Sequence, residues 1–180
     1  MKIQTNTKNT FLNVEVKAKC NDLQQVREFL YNHGAKKMGT DYQVDTYFKV
    51  AKGRLKLREG NVENHLIHYE RINKRGPKQS VILLYKPEPN LSLKAILTKA
   101  LGILAVVDKT REIYFIKNVK FHLDEVKDLG SYVEIEAIDY SGKIGPTKLD
   151  KQCKDYMKLL KITQKDLVPV SYSDMVLNES

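Results

Sequence analysis

Apolar and polar residues alternate along FLNVEVKAKC, residues 11–20: Leu12, Val14, Val16 and Ala18 fall on one side, Asn13, Glu15, Lys17 and Lys19 on the other. A period of two marks a strand with one greasy and one wet face, since successive side chains of an extended chain point opposite ways. The pattern returns down the chain. GRLKLRE sets Arg54, Lys56 and Arg58 against Leu55 and Leu57, HYER pairs Tyr69 with Arg71, and VDKTREI pairs Lys109 with Arg111. NVKFHLDE sets Asn118, Lys120, His122 and Asp124 against Val119, Phe121 and Leu123, and YVEIEAI sets Tyr132, Glu134 and Glu136 against Val133, Ile135 and Ala137.

Helical spacing interrupts the strands three times. NDLQQVREFLYNHG opens on Asn21 or Asp22 as a cap, aligns Leu23, Val26, Phe29 and Leu30, and stops at Gly34. From Ser92 to about Ala105, Leu93, Ile96, Leu97, Ala100, Leu101 and Leu104 form a second stripe, read as core-facing. A closing helix over residues 147–160 is expected to bury Leu149, Cys153, Met157 and Leu160, and SYSDMVL ends the chain. Between them, YQVDTYFKV and GRLKLREG read as a hairpin through Gly53, NHLIHYERI as a strand turning at RGPK, and SVILLYKPEP as a strand running up to Pro87 and Pro89. The last turn falls at KDLG, near Gly130. The order predicts an α+β fold dominated by antiparallel strands, without linker, repeat or low-complexity tract to divide residues 1–180.

Two architectures satisfy this alternation. An open sheet would cover a core with its apolar face and show its charges to water. A closed barrel would turn the charges inward and let helices bury the outer face. Periodicity does not separate them. Arginine repeatedly holds the alternate position, however, and its planar fork suits bidentate phosphate contacts.

Charge points the same way. Lys and Arg number 31 against 22 Asp and Glu, a formal net charge of +9 with pI near 9.4, which implies an anionic partner. Nucleic acid, a membrane surface and a phosphorylated small molecule all fit that alone. Cys20 and Cys153 are far apart and outside metal-binding spacings, so a disulfide framework and a zinc site are not suggested, and both read as small hydrophobes. MKIQTNTKNT lacks a signal peptide's apolar segment, and no run approaches the roughly 18 apolar residues of a spanning helix. A cytoplasmic protein is expected.

NVEVKAK, DTYFKV with GRLKLRE, LIHYER, KTREIY, VKFHLDEVKDLGSYVEIEA and the closing SYSDM, taken in order, resemble the CYTH superfamily, the triphosphate tunnel metalloenzymes. That family includes class IV adenylate cyclases, thiamine triphosphatases and inorganic triphosphatases. The resemblance implies a closed or nearly closed antiparallel barrel of about eight strands with flanking helices, a basic tunnel and carboxylates holding Mg2+ or Mn2+. It puts Lys17, Arg54, Lys56, Arg58, Arg71, Lys109, Arg111 and Lys120 around the phosphates, with Lys17, Arg58, Lys109 and Arg111 in the catalytic role. Glu15, Asp124, Glu134 and Glu136 would hold metal, a hard cation that prefers oxygen ligands. The family's first motif, Glu-x-Glu-x-Lys, carries Asn13 at its first position here, a weaker neutral ligand.

The implied activity is that of a metal-dependent enzyme on a triphosphate, most like a class IV cyclase turning ATP into cyclic AMP and pyrophosphate. Hydrolysis of thiamine triphosphate or tripolyphosphate is the alternative on the same architecture, and a phosphate-binding module without chemistry is a further one, motivated by Asn13. A nucleic-acid-binding protein is disfavoured, because aromatics do not cluster on one basic strand; a homodimer stays open. His122 reads as a hydrogen-bonded bystander, Tyr69 and Tyr132 as packing or substrate-positioning residues, and Asp45 as a strand-end residue rather than a metal outer-shell group. Lys36, Lys37, Lys49, Lys52, Lys158 and Lys161 read as solvated surface.

Overall fold

The computed structural model describes residues 10–71, 73, 75–88 and 91–179. The leader reading of the first nine residues and the break assigned to Pro89 lie outside them. Eight antiparallel strands close into a barrel, and the polar phase of the alternation faces its lumen. In chain order they are β1 (Thr10–Lys19), β2 (Lys36–Phe48), β3 (Arg54–Glu59), β4 (His65–Glu70), β5 (Lys78–Tyr85), β6 (Ile103–Ile116), β7 (Val119–Val126) and β8 (Gly130–Asp139). Around the barrel the order is β1, β5, β4, β3, β2, β6, β7, β8, and β8 returns to β1 with Glu15 opposite Glu136 and Lys17 opposite Glu134.

Helices α1 (Leu23–Asn32) and α3 (Pro146–Leu159) cover the apolar phase of β1, β7 and β8. Asp22 caps α1 by accepting the Gln25 N–H, and Leu23, Val26 and Leu30 pack into one core with Val16, Phe121, Ile135, Leu149 and Cys153. Phe121 meets Tyr156 of α3 edge-on at 4.8 Å. Each such large side chain withdrawn from water contributes roughly 1.5–3 kcal/mol, so this face anchors the barrel. Cys153 is a buried small residue as expected, its Sγ 3.1 Å from the Val14 carbonyl. The six lysines read as surface are all exposed, and Lys37 reaches Glu112.

Two expectations are corrected. Helix α2 (Leu91–Leu101) ends where Gly102 takes a φ of +75°, so Leu104 and Ala105 belong to β6. Its stripe is not core either: Ile96 is 62% exposed. The closing SYSDMVL is helical, α4 (Tyr172–Glu179). The signal was local: Ser171 and Asp174 cap each other, Asp174 N–H donating to the Ser171 hydroxyl and Ser171 N–H to the Asp174 carboxylate. This segment seals one end of the barrel, where Tyr172 joins Tyr47, Val107, Val126 and Tyr132 in a second small core. Among the described residues no helix is long and apolar enough to cross a membrane.

Candidate functional site

The lumen holds a cavity of ≈ 410 Å³. Its sealed end is ionic: Glu15, Lys17, Asp45, Lys56, Arg58, Arg71, Arg111 and Glu134 line it beside Tyr172. Phe11, Ile67, Ile82, Leu84, Phe115, Ile138 and Tyr140 line the other part together with Glu63, His65, Lys120 and Glu136, and Tyr140 is 65% exposed, so this part, rich in apolar and aromatic side chains, is the mouth. Both parts follow from strand period and register. Along β1, Phe11, Asn13, Glu15 and Lys17 all point inward, and on neighbouring β5 Ile82 pairs with Phe11 and Ser80 with Asn13.

Among the described residues, the lumen carboxylates Glu15, Asp45, Glu63, Asp124 and Glu134 are held by cations, and Glu136 by the neutral Asn13 amide. Asp45, 1% exposed, accepts Nε and Nη2 of Arg58 at 2.8 and 3.0 Å, Lys56 Nζ at 2.9 Å and Lys109 Nζ at 2.7 Å. Burial alone would raise its pKa, yet Arg58, Lys109 and Lys56 hold it well below the usual carboxylate range. Burial in turn pushes the Lys109 ammonium down to about 7, against the pull of Asp45. Arg111 grips Asp124 through Nε and Nη2 and reaches Glu134 at 2.8 Å, while Tyr172 donates its hydroxyl to Asp124 at 2.7 Å. Glu134 also meets Lys17 at 3.4 Å and His122 Nδ1 at 3.2 Å. Burial, then Arg111 and Lys120, bring His122 down to about 4, so the ring is neutral at neutral pH. Lys17 lies 3.4 Å over the Tyr172 ring. Arg71 donates to Glu15, and the Asn13 amide to Glu136.

Among the residues expected around phosphates, Lys17, Lys56, Arg58, Arg71, Arg111 and Lys120 reach the cavity wall, as do the carboxylates Glu15, Glu134 and Glu136. Three stand behind it. Lys109 ends on Asp45, Asp124 is enclosed by Arg111 and Tyr172, and Arg54 pairs with Asp174 of α4 at 2.9 Å. Of the tyrosines, Tyr69 lines the cavity, whereas Tyr132 packs against Tyr172 and donates to the Leu129 carbonyl. Asp45 is no strand-end residue: it sits inside β2 as the hub of three cations. The sequence reading also missed Glu63, on the β3–β4 loop, which bridges Arg58 and Lys120. A loop residue carries no periodicity, so only the contact reveals it.

A divalent cation fits this donor set in one way. Among the described residues, no three His, Cys, Asp or Glu side chains converge on a single point, so the protein offers no all-protein cage. Glu15 and Glu136 do face each other across the β1–β8 ladder, and the buried Asn13 Oδ1 beside them has no hydrogen-bond partner. Magnesium and manganese commonly take few protein oxygens and complete their shell with phosphate and water. Glu15, Glu136 and the Asn13 carbonyl fit a metal that arrives with a polyphosphate.

Fold and site together define a closed antiparallel barrel with an ionic lumen. The CYTH domain family model matches residues 12–172, and the chain belongs to that family. It is 25% identical over 178 residues to a Methanocaldococcus jannaschii protein named as a putative adenylate cyclase, covering 91% of this chain and 98% of that one. Among solved structures it resembles a protein of Pyrococcus horikoshii with TM-score 0.77 at 25% identity, covering 90% and 98% of the two chains. A Vibrio parahaemolyticus protein described as a putative adenylate cyclase gives TM-score 0.75 at 13% identity, covering 92% and 98%, a likeness of fold alone.

Proposed function

We propose that the protein is a divalent-metal-dependent enzyme acting on an organic triphosphate, with cyclisation of ATP to cyclic AMP and pyrophosphate as its reaction. The observation that carries this reading is one cavity with an ionic floor and a mouth in which apolar and aromatic side chains predominate. A triphosphate carries about four negative charges near neutral pH, and only fixed cations compensate them in a water-poor space. Inorganic tripolyphosphate would use the floor and leave Phe11, Phe115, Ile138 and Tyr140 without a ligand. An aromatic base joined to the triphosphate uses both.

In cyclisation the ribose 3′-hydroxyl gives up its proton to solvent as its oxygen forms a bond to the α-phosphorus, the bond from that phosphorus to the oxygen bridging it to the β-phosphorus breaks, and pyrophosphate leaves. The protein's part is positioning and charge neutralisation. Arg58, Arg71, Lys17 and Arg111 grip the phosphates, and the mouth orients the base and with it the ribose. Lys109 serves from behind, as the counter-charge of Asp45. Glu15, Glu136 and Asn13 would hold Mg2+ or Mn2+, which when bound polarises the phosphoryl oxygens and offsets charge on the leaving group.

The test is a product assay. Protein with magnesium or manganese is incubated separately with ATP, thiamine triphosphate and tripolyphosphate, and cyclic AMP, pyrophosphate and phosphate are quantified. Cyclic AMP and pyrophosphate in equal amounts from ATP are expected. Phosphate as the sole product would assign hydrolysis instead, and turnover of tripolyphosphate matching that of ATP would remove any role for the mouth. Binding without turnover would leave a phosphate-binding module.

A further inference from the structure

The β3–β4 loop puts a carboxylate where the proposed ligand needs a phosphate. Glu63 Oε2 accepts Arg58 Nη1 at 2.8 Å and Glu63 Oε1 accepts Lys120 Nζ at 2.5 Å. Two oxygens on one centre, each facing a cation, reproduce the contacts of a phosphoryl group. β3 and β7 are separated around the barrel by β2 and β6, so the bridge reaches across the lumen.

The placement is held from below. Asp41, buried on β2, accepts the Val62 N–H at 2.8 Å and the Glu63 N–H at 3.0 Å. The Asn64 side-chain amide accepts the Gly60 N–H and donates to the Gly60 carbonyl, and Asn61 ties the loop to Thr40 and Tyr42. At Gly60 a Cβ would come within 2.4 Å of Asp41 Oδ1, so glycine is required for the loop to lie this close. The backbone anchor is thus independent of the Glu63 carboxylate. Arg58, meanwhile, has Nε and Nη2 committed to Asp45, which leaves Nη1 to face the cavity. Glu63 takes that nitrogen.

We infer that Glu63 is a resident anion that occupies one phosphoryl position between Arg58 and Lys120, and that a polyphosphate gains these two cations only by displacing it. The inference rests on the triphosphate reading of the cavity and adds a consequence to it. A long polyanion that also reaches the floor cations displaces Glu63 at a cost it can offset; pyrophosphate, the leaving group of the proposed reaction, has fewer contacts with which to do so. Glu63 therefore lowers the affinity for product. Burial would raise its pKa, yet Lys120 and Arg58 hold it well below the usual carboxylate range, so the competing charge persists through the neutral range.

Calorimetric titration of the full chain with pyrophosphate and with tripolyphosphate, without added divalent metal, tests this. Glu63→Gln keeps the shape and the loop anchor but removes the charge. It is expected to bind pyrophosphate on the order of tenfold more tightly than the wild type. Adding Arg58→Ala to the variant should abolish the gain. Unchanged or weaker binding by a variant with wild-type thermal stability overturns the inference. Should Glu63→Gln fail to fold, Glu63→Asp, whose shorter arm cannot span both cations, is expected to show a smaller gain, and no gain overturns the inference equally. A wild type that binds neither anion, either without metal or with added magnesium or manganese, overturns the triphosphate reading itself, whereas a wild type that binds both, with no gain in the variants, overturns the role of Glu63 alone.

Discussion

The β1–β7–β8 wall and the β3–β4–β5 wall are built from the same alternating pattern, yet they face different surroundings. Outside, the first wall lies under α1 and α3, with Val16 1% exposed and Phe121 and Ile135 at 0%. The second shows Val81, Leu83 and Tyr85 to solvent at 55%, 49% and 57%. Inside, the first wall carries the carboxylates Glu15, Asp124, Glu134 and Glu136 beside Lys17 and Lys120, while the second carries Lys56, Arg58 and Lys78 with Ile67, Ile82 and Leu84. Stability is therefore concentrated on the wall that presents carboxylates, and the cationic wall is held largely through the lumen, by ion pairs such as those on Asp45. The lesson is that ions in this lumen serve the fold as well as any ligand.

The largest expected effect tests where stability resides. Phe121→Ala removes a wholly buried ring and its contact with Tyr156, and should cost about 3–5 kcal/mol in chemical denaturation. A loss under about 1 kcal/mol would show that the helix-covered wall is not the anchor.

Next comes Asp45→Asn, which strands three cations, Lys56 and Arg58 on the other wall and Lys109 on β6. Removing one partner of a buried ionic cluster costs about 3 kcal/mol, because the remaining charges lose their compensation. Tripolyphosphate binding should fall as well, since Arg58 and Lys56 lose their fixed orientation. An unchanged affinity in a folded variant would mean that Asp45 supports the wall without shaping the site.

The effect of Asp45 also shows where sequence reading stops. The strands were legible from period two, and the ordered motifs from NVEVKAK to VEIEA carried the barrel and nine charged residues of the cavity wall, but none of its apolar part. Alternation by itself could not separate a solvated face from a lumen, because both demand polar side chains at the same positions. Asp45 was misread because its partners, Lys56, Arg58 and Lys109, come from β3 and β6 and meet it only when the barrel closes. Lys109 and Asp124 keep their expected phase but stand behind the cavity wall, on Asp45 and Arg111, since phase fixes a face and not a depth. Leu104 continued a helical stripe by coincidence, and Gly102 was the overlooked stop.

A smaller, pH-dependent effect separates the walls again. His122 on β7 has a folded pKa of about 4, below the roughly 6.5 of an unfolded histidine. The unfolded chain therefore binds more protons between these values, so the His122 contribution is complete above about pH 6.5 and is lost as pH falls toward 4. The loss is on the order of 2–3 kcal/mol and should be absent in His122→Gln, measured by denaturation across pH 4–7. An equal pH slope in the variant would assign the effect to other groups.

The smallest expected effect lies on the outer face of the cationic wall. Val81→Thr replaces a methyl by a hydroxyl at a position 55% exposed, keeps the β-branch that suits a strand, and should change stability by under about 0.5 kcal/mol. Denaturation at several protein concentrations is the measurement, because Val81, Leu83 and Tyr85 stand in alternate positions on one strand and expose apolar surface together. A loss beyond about 1.5 kcal/mol that grows with dilution would mean a second chain covers this face in solution. The contrast between the walls would then be one between helices supplied by the chain itself and a surface supplied by a neighbour, and the cationic wall would owe its order to assembly as well as to the ion pairs of the lumen.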